Sequence, residues 1–424
     1  MFPRSFPWGL LASTPLLCAI AWCFTPVASA EPNARPLTLQ EALERTRAFH
    51  PALTASRRDV AAARSWEREA DRRPAPLLAA AYENFGGELG ADHSEATFTA
   101  EQTIELGGDR GARRSLSTAR TAIASAELEQ LGQEIAAVTV EIYTEAWEAQ
   151  ERAERWRVAV RDAAAAATAA AERLRSGAAP AHEVARARAN HALRRIELDH
   201  EERLLAVARE RLAAQWRGSA DSIGTLVLAD PLSIVPRDWN TLRAAAPNQP
   251  SLRRALAERL HEDEQWRSVR AQRAPDVTLS AGVRRLAEVP GTGFVLSVSV
   301  PLPGPGTGPA AVEAADATRS ASAARAEAES LRLLTRIRGV TDRLTGALAS
   351  LRELREQVLP AADEAVRGLT AGFRSGGLTY LEVLEGQRAL LEAHLLGIEL
   401  TREAWVSAME LERWTSAPAG GDVR

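Results

Sequence analysis

The sequence predicts a mainly α-helical chain with a small β part, built twice from one unit of a helix, two strands and a long helical hairpin. Short motifs recur in a single register. His50-Pro51-Ala52-Leu53 returns as Gln249-Pro250-Ser251-Leu252, Ala75-Pro76 as Ala274-Pro275, Arg175-Ser176-Gly177 as Arg374-Ser375-Gly376, and Glu183-Val184 as Glu382-Val383, every pair 199 positions apart. Ala, Arg, Glu and Leu fill long tracts almost free of Gly and Pro, with 5% aromatic against 25% charged residues; this composition suits long helices packed side by side better than a compact core. Between those tracts lie short segments that alternate in the manner of strands.

In chain order, residues 1–30 read as a secretory signal. Arg4 precedes an apolar stretch from Leu10 to Val27, and Ala28-Ser29-Ala30 forms a small-x-small cleavage site, so the mature chain is expected to begin at Glu31. Both cysteines, Cys18 and Cys23, fall inside this segment, which leaves the mature chain without disulfide or thiol chemistry. Leu17 and Trp22 precede them, which disfavours acylation because that signal needs a small residue there.

The first repeat, 31–217, opens with a helix from Thr38 to Asp71, with Thr38 as N-cap and Glu41 three residues on as a capping box. Strands follow near Leu77 to Phe85 and Ala96 to Ile104, then a helix from Arg110 to Arg175, a turn at Ser176-Gly177, and a helix from Pro180 to Trp216. A linker, 218–238, leads to the second repeat, 239–414. Its helix runs from Leu242 to Arg270, its strands from Asp276 to Arg284 and Phe294 to Leu302, and its long helices from Ala310 to Arg374 and Thr379 to Trp414. Residues 415–424 are expected as a flexible tail.

Gly177 and Gly376 sit where a left-handed residue ends one helix and reverses the chain. A helix of roughly 65 residues is on the order of 100 Å long, enough to span a compartment. Ile135, Val138, Ile142, Leu331, Leu334, Val340, Leu344, Leu348 and Leu351 recur mostly at spacings of three and four, as a packing seam requires.

The strands carry the membrane argument. Val277, Leu279, Ala281 and Val283 alternate with Asp276, Thr278, Ser280 and Arg284. Phe294, Leu296, Val298, Val300 and Leu302 alternate with Ser297 and Ser299, and Ala96, Phe98, Ala100 and Ile104 with Thr97, Thr99, Glu101 and Thr103. Alternation alone equally fits a soluble sheet with one buried face. Strands of about nine residues have the length that crosses a bilayer when tilted, and Tyr82, Phe85 and Phe294 could join an aromatic girdle, although Phe98 falls inside a strand. After Ala30 no run of about 20 apolar residues occurs, so a membrane span must be a barrel. Four strands cannot close around a channel. Three chains supply twelve, although other ring sizes remain open at this level.

The chemistry of enzymes is missing. There is no phosphate-binding Gly-rich loop, no Gly-x-Ser-x-Gly elbow and no His-Glu-x-x-His, so no catalytic, cofactor or metal residues are assigned. His182-Glu183 with His191, and His261-Glu262-Asp263-Glu264, read first as solvated helix faces. A net charge of -4 gives no electrostatic footprint for nucleic acid. The cations are all arginine, which is assigned no function.

On the duplicated plan, and on Tyr82-Glu83-Asn84-Phe85-Gly86-Gly87 and Gln102-Thr103-Ile104-Glu105-Leu106-Gly107-Gly108-Asp109-Arg110, residues 38–414 resemble the TolC-like outer membrane factors. The two short segments are similar to those of the branch serving cobalt, zinc and cadmium efflux. The resemblance implies a homotrimer, with a 12-stranded β-barrel in outer-membrane lipid continued by an α-helical barrel in the periplasm. It implies two partners, an inner-membrane proton-driven transporter and a periplasmic adaptor. The hairpin tips, Arg175, Ser176 and Gly177 in the first repeat and Arg374, Ser375, Gly376 and Leu378 in the second, would meet the adaptor. Only the second tip keeps the family's Leu-Thr-x-Leu pattern, since Ala178-Ala179-Pro180 replaces Gly377-Leu378-Thr379.

Charged rings can constrict a mouth or set its ion selectivity. Asp363, Glu382 and Glu385 are the candidate periplasmic gate, with Asp363 roughly 18 Å up the preceding helix at 1.5 Å per residue. Ordinary i,i+4 pairing is the simpler account of any single one. The main reading is a passive exit duct for heavy-metal cations. Alternatives are a type I protein secretion or drug-efflux duct, and a periplasmic adaptor, which carries one hairpin rather than two.

Overall fold

The computed structural model of the chain describes residues 35–84, 93–288, 291–302 and 308–415. The signal segment with Cys18 and Cys23, the residues Phe85, Gly86 and Gly87, and the tail from 416 onward lie outside the described residues. The architecture is mainly α with a small β part, as the sequence predicts.

A short strand, β1 (Leu37–Thr38), leads into α1 (Leu39–Phe49). Thr38 Oγ1 accepts from the Glu41 amide at 3.3 Å, but only this half of the capping box forms, because the Glu41 carboxylate is taken by Arg45 at 2.7 Å. The single helix expected over 38–71 is broken, since α2 starts afresh at Pro51 and ends at Ala70. Pro51 is the cause: its ring pushes the preceding residue out of the α region, and His50 is extended at φ -67 and ψ 124. His50 Nδ1 then accepts from the Ala52 amide and caps the new helix. The second repeat breaks at the equivalent place, into α5 (Trp239–Ala245), a 3-10 turn at Ala246–Asn248, and α6 (Pro250–Ala271). A proline shared by both repeats is a helix break shared by both.

The helix α3 (Asp109–Arg175) has 67 residues, ~100 Å at 1.5 Å per residue, and serves as the spine. Near the sheet it is flanked by α2 and α6, with Arg110 on Asp71 at 3.2 Å and Arg254 on Glu127 at 3.3 Å. Farther down it packs against α4 (Ala181–Ala214) and α9 (Tyr380–Thr415). There Arg152 reaches Glu201 at 2.9 Å and Arg402 reaches Glu148 at 2.8 Å. Burial pushes the Glu148 carboxyl above its ordinary range, and the two arginines partly offset this.

The continuous helix expected over 310–374 is also interrupted. It comprises α7 (Pro309–Glu353), a π-turn at Leu354–Val358, and α8 (Leu359–Ser375). Pro360 has no N–H to give the turn before it and its ring would strike the carbonyl four residues back; one wide turn clears both faults. Arg161 stands at the equivalent position of α3, which stays regular.

The stretch 218–238 read as a linker is ordered. It contains 3-10 turns at Ala220–Ser222 and Pro231–Ser233, and β4 (Leu226–Val227) pairs parallel with β1. Tyr143, fully buried on α3, donates its hydroxyl to Leu37 O at 2.6 Å and accepts from the Val227 amide at 3.1 Å. Gln150 holds both the carbonyl and the amide of Leu226, at 3.0 and 2.9 Å. The surrounding core includes Leu39, Ile142, Leu212 and Trp216. Of the expected seam, Ile135, Ile142, Val340, Leu344, Leu348 and Leu351 are buried, but Val138 and Leu331 are 45% and 62% exposed. These two face away from the body of their own chain.

The strands β2 (Leu77–Glu83), β3 (Glu95–Ile104), β5 (Val277–Leu286) and β6 (Thr292–Ser299) form one antiparallel sheet in the order β2-β3-β5-β6. Among the described residues, both outer strands have an open edge within the chain. Among the described residues, no helix is long and apolar enough to cross a membrane.

Candidate functional site

The sheet sorts its side chains by register. Ala80, Phe98, Val283 and Phe294 lie in one cross-strand row, as do Ala100, Ala281 and Leu296. Since residues alternate faces along a strand, Leu78, Ala80, Tyr82, Phe98, Leu279, Val283, Phe294, Leu296 and Val298 share one face. The larger of these are open to solvent, with Phe294 at 92% and Leu78 at 81%. The opposite face carries Glu95, Thr97, Thr99, Glu101, Thr103, Thr278, Ser280, Arg284, Ser297 and Ser299 and is more enclosed, with Thr97 and Ser280 buried. A polar inner face and a bare apolar outer face invert the pattern of a water-soluble sheet packed on a core.

Gly282 lies on the inner face, where a Cβ would collide with the Phe98 carbonyl oxygen and the Thr99 side chain. It allows β3 and β5, which join the two repeats, to pair without a gap. The register also revises the reading of the aromatics. Tyr82 stands in the row of Ala96, Arg285 and Thr292, and Phe98 and Phe294 share the next row on that face, so all three occupy the two outward-facing rows nearest the strand-connecting loops. Phe98 therefore belongs to the same belt as Phe294, and Phe85 lies outside the described residues.

The opposite end of the molecule holds the two hairpin turns. Both close by the same hydrogen bonds: Ala178 N to Arg173 O at 2.8 Å and Gly177 N to Leu174 O at 3.0 Å, then Gly377 N to Gly372 O at 3.0 Å and Gly376 N to Phe373 O at 3.1 Å. This six-to-one and five-to-two pairing is the Schellman motif, which requires a left-handed residue, supplied by Gly177 at φ +75 and Gly376 at φ +91. Arg175, Ser176, Gly177, Arg374, Ser375 and Gly376 are all exposed, whereas Leu378 is half-buried and folds its side chain back over Gly372. In the first tip Ala179 takes that position and is buried.

What joins the tips was not visible in the motifs. Arg173, on the first hairpin, donates to Phe373 O and Leu378 O of the second, both at 3.1 Å, and to Ala178 O at 3.2 Å. Its guanidinium stacks on the Phe373 ring at 4.5 Å, and Phe373 meets Tyr380 at 6.1 Å. Asn190 of α4 donates to the Tyr380 hydroxyl at 3.2 Å, and burial raises the phenol's pKa. Ala170, Val184, Ala187, Phe373, Tyr380 and Val383 form a small core of their own. The aromatic ring at 373 and the guanidinium at 173 break the internal symmetry, since Leu174 and Gly372 occupy the equivalent places. That departure from the repeat was the available signal.

Two of the three candidate gate residues engage partners close by in sequence. Glu382 closes a capping box on α9, accepting from both the amide and the hydroxyl of Thr379 at 2.8 Å, and these bonds hold its carboxyl below the ordinary range. Asp363 pairs with Arg367 one turn on, in the i,i+4 manner. Glu385 is exposed on α9. His182 is exposed and His191 half-buried. The face His261 to Glu264 is not uniformly solvated, because burial lowers the His261 imidazole and Glu264 is buried against Arg267 at 2.6 Å. Among the described residues no group of three His, Cys, Asp or Glu could hold a metal ion.

Comparison with known proteins agrees with this geometry. The family profile described as outer membrane efflux protein matches residues 241–415. The cobalt-zinc-cadmium resistance protein CzcC of Cupriavidus metallidurans is 28% identical over 386 residues, 90% of each chain. The nickel and cobalt resistance protein CnrC of the same organism is 29% identical over 280 residues, 64% of each. In fold, the outer membrane protein VceC of Vibrio cholerae superposes with a TM-score of 0.73 at 19% identity, over 89% of this chain and 96% of its own.

Proposed function

We propose that this chain, whose residues 241–415 match the outer membrane efflux protein profile, is one subunit of a homotrimeric outer-membrane exit duct that passes divalent heavy-metal cations. The observation that carries the reading is the sheet with a bare apolar outer face, a polar inner face and two open edges. Unpaired edge groups cost several kcal/mol each in hydrocarbon, so β2 must pair with β6 of a neighbouring copy.

The helices support the same contact. Across the lower half the packing order is α4, α3, α9, α7, so α4 and the α7–α8 pair are the free flanks. On α4, Leu193, Ile196, Leu204 and Val207 form an exposed apolar stripe, and Leu331 and Val358 are exposed on the opposite flank. One flank against the other is a head-to-tail contact, which closes a ring when the rotation suits; three copies give twelve strands. The helices continue the bore into the periplasm, and the tips around Arg175, Ser176, Gly177, Arg374, Ser375, Gly376 and Leu378 form the mouth offered to a periplasmic adaptor. The adaptor couples the duct to a proton-driven inner-membrane transporter, and the duct itself is passive.

The cargo follows from the resistance proteins that match over 90% and 64% of the chain. Two tests apply. Outer-membrane extracts should give a heat-resistant trimer on gels, and a chain that runs only as a monomer defeats the duct. Cells carrying the pump but lacking this chain should accumulate cobalt, zinc or cadmium; unchanged metal content with restored drug or protein export defeats the cargo.

A further inference from the structure

Two adjacent arginines leave β5 on opposite faces, and among the described residues only one has a counter-charge built in. Arg284 points to the inner face, where Glu95 meets it at 3.1 Å and Thr97 Oγ1 accepts from its Nε at 3.1 Å. Arg285 points to the apolar outer face and is exposed. Its cross-strand neighbours are Ala96 and Thr292, too short to cover or neutralise it. Glu83 and Glu95 face the other way, and Glu288 lies 3.8 Å from His93. Among the described residues of the four strands, Arg285 is the one charged side chain on the outer face.

Its height on the sheet is informative. Arg285 shares the row of Tyr82 and Thr292, the outward-facing row nearest the strand-connecting loops and two residues beyond the row of Phe98 and Phe294. The strand that carries it, β5 (Val277–Leu286), has 10 residues, ~31 Å of strand, or ~23 Å of height at a 40° tilt, close to the ~25 Å apolar band of an outer-membrane barrel. Arg285 thus marks the band's outer margin, where an arginine is nearly free of penalty and reaches headgroups. On the duct reading, on which this inference rests, the loops face the exterior, and that leaflet consists of phosphorylated glycolipid.

We infer that Arg285 is a lipid contact that binds a phosphate of the outer-leaflet glycolipid. A planar guanidinium suits bidentate hydrogen bonding to a phosphate, and the small residues beside it leave both donor edges open. Three copies around a twelve-stranded barrel give three such anchors, each beside an aromatic belt that accommodates the acyl chains.

The test uses the purified trimer titrated with diphosphoryl lipid A and with the same lipid stripped of its phosphates, counting bound lipid by native mass spectrometry. Wild type should hold the diphosphoryl form roughly 10-fold more tightly. R285Q should bind both within about 2-fold, and R285K should keep part of the preference because it retains charge without the fork. Equal binding of the two lipids by wild type, or an undiminished preference in R285Q, overturns the assignment. Loss of the preference in millimolar inorganic phosphate overturns it too, since it marks a free-phosphate site. A chain that never forms a trimer defeats the duct reading and this inference together.

Discussion

Replacing Arg173 by alanine should uncouple the two hairpin tips without unfolding the helices that carry them. The side chain makes two hydrogen bonds across the hairpins, to Phe373 O and Leu378 O, and stacks on the Phe373 ring. Charge-assisted bonds of this kind contribute ~1 kcal/mol each at a half-exposed site, and the stacking ~1 kcal/mol more. Local opening of the second tip should therefore become easier by ~3 kcal/mol, roughly a 10²-fold rise in its open population. The assay is amide hydrogen exchange at Gly377 and Leu378, whose N–H groups bond to Gly372 O. R173K should recover less than half of the protection, because an ammonium cannot span two carbonyls and a ring at once. Arg175→Ala, two residues on and exposed, should change exchange by less than about 2-fold. Unchanged protection in R173A would show that the tips are held by the apolar core around Tyr380 alone.

Three further outcomes follow from single residues. Tyr143→Phe removes the hydroxyl bonds that tie α3 to the Leu37 carbonyl and the Val227 amide of the β1–β4 pair, so thermal unfolding should reveal a loss of ~1 kcal/mol. Burial pushes the Tyr143 phenol from 10.0 to about 12, so the unfolded chain ionises first; stability from this site is full below pH 10 and declines between 10 and about 12. Ultraviolet titration should find one tyrosine ionising only near the upper end, and a single transition near 10 for all three would contradict the burial argument. Gly376→Ala forces a Cβ into φ +91 and should cost ~1 kcal/mol or more in denaturant melts, while Gly346→Ala, in open space on α7, should gain up to ~1 kcal/mol. Gly282→Val should lower the yield of heat-resistant trimer, because its side chain enters the β3–β5 seam at the Phe98 carbonyl; a normal yield would mean the seam can part.

The elements were legible where pattern and chemistry agreed. Strand alternation at Val277 to Val283 fixed the apolar face, and the repeated Gly177 and Gly376 fixed both reversals. The two helix breaks are hidden in the pattern although Pro51 and Pro250 repeat, because apolar periodicity resumes so soon beyond each that it masks the local veto of a proline on its neighbour. The π-turn before Pro360 is masked in the same way. At the candidate mouth, periodicity could place Glu382 and Asp363 near the tip but could not reveal their partners. Glu382 is held by Thr379 three residues away, in a local capping box like the one the sequence signals at Thr38. Arg173 lay outside every motif, since its role depends on a contact 200 residues distant in sequence.

The sharpest test of the account is the environment of alternate residues along β6. Cys18 and Cys23 are the chain's only cysteines, and both lie in the segment expected to be removed, so single cysteines can be placed at Phe294, Leu296, Val298, Ser297 and Ser299 in the mature protein. In outer membranes, labels at Phe294, Leu296 and Val298 should be quenched by a lipid-soluble quencher and resist a membrane-impermeant thiol reagent. Labels at Ser297 and Ser299 should show the reverse. A lipid-facing and water-facing alternation with a period of two is what a barrel requires. Uniform aqueous access at all five positions would place the sheet outside the membrane and contradict the duct.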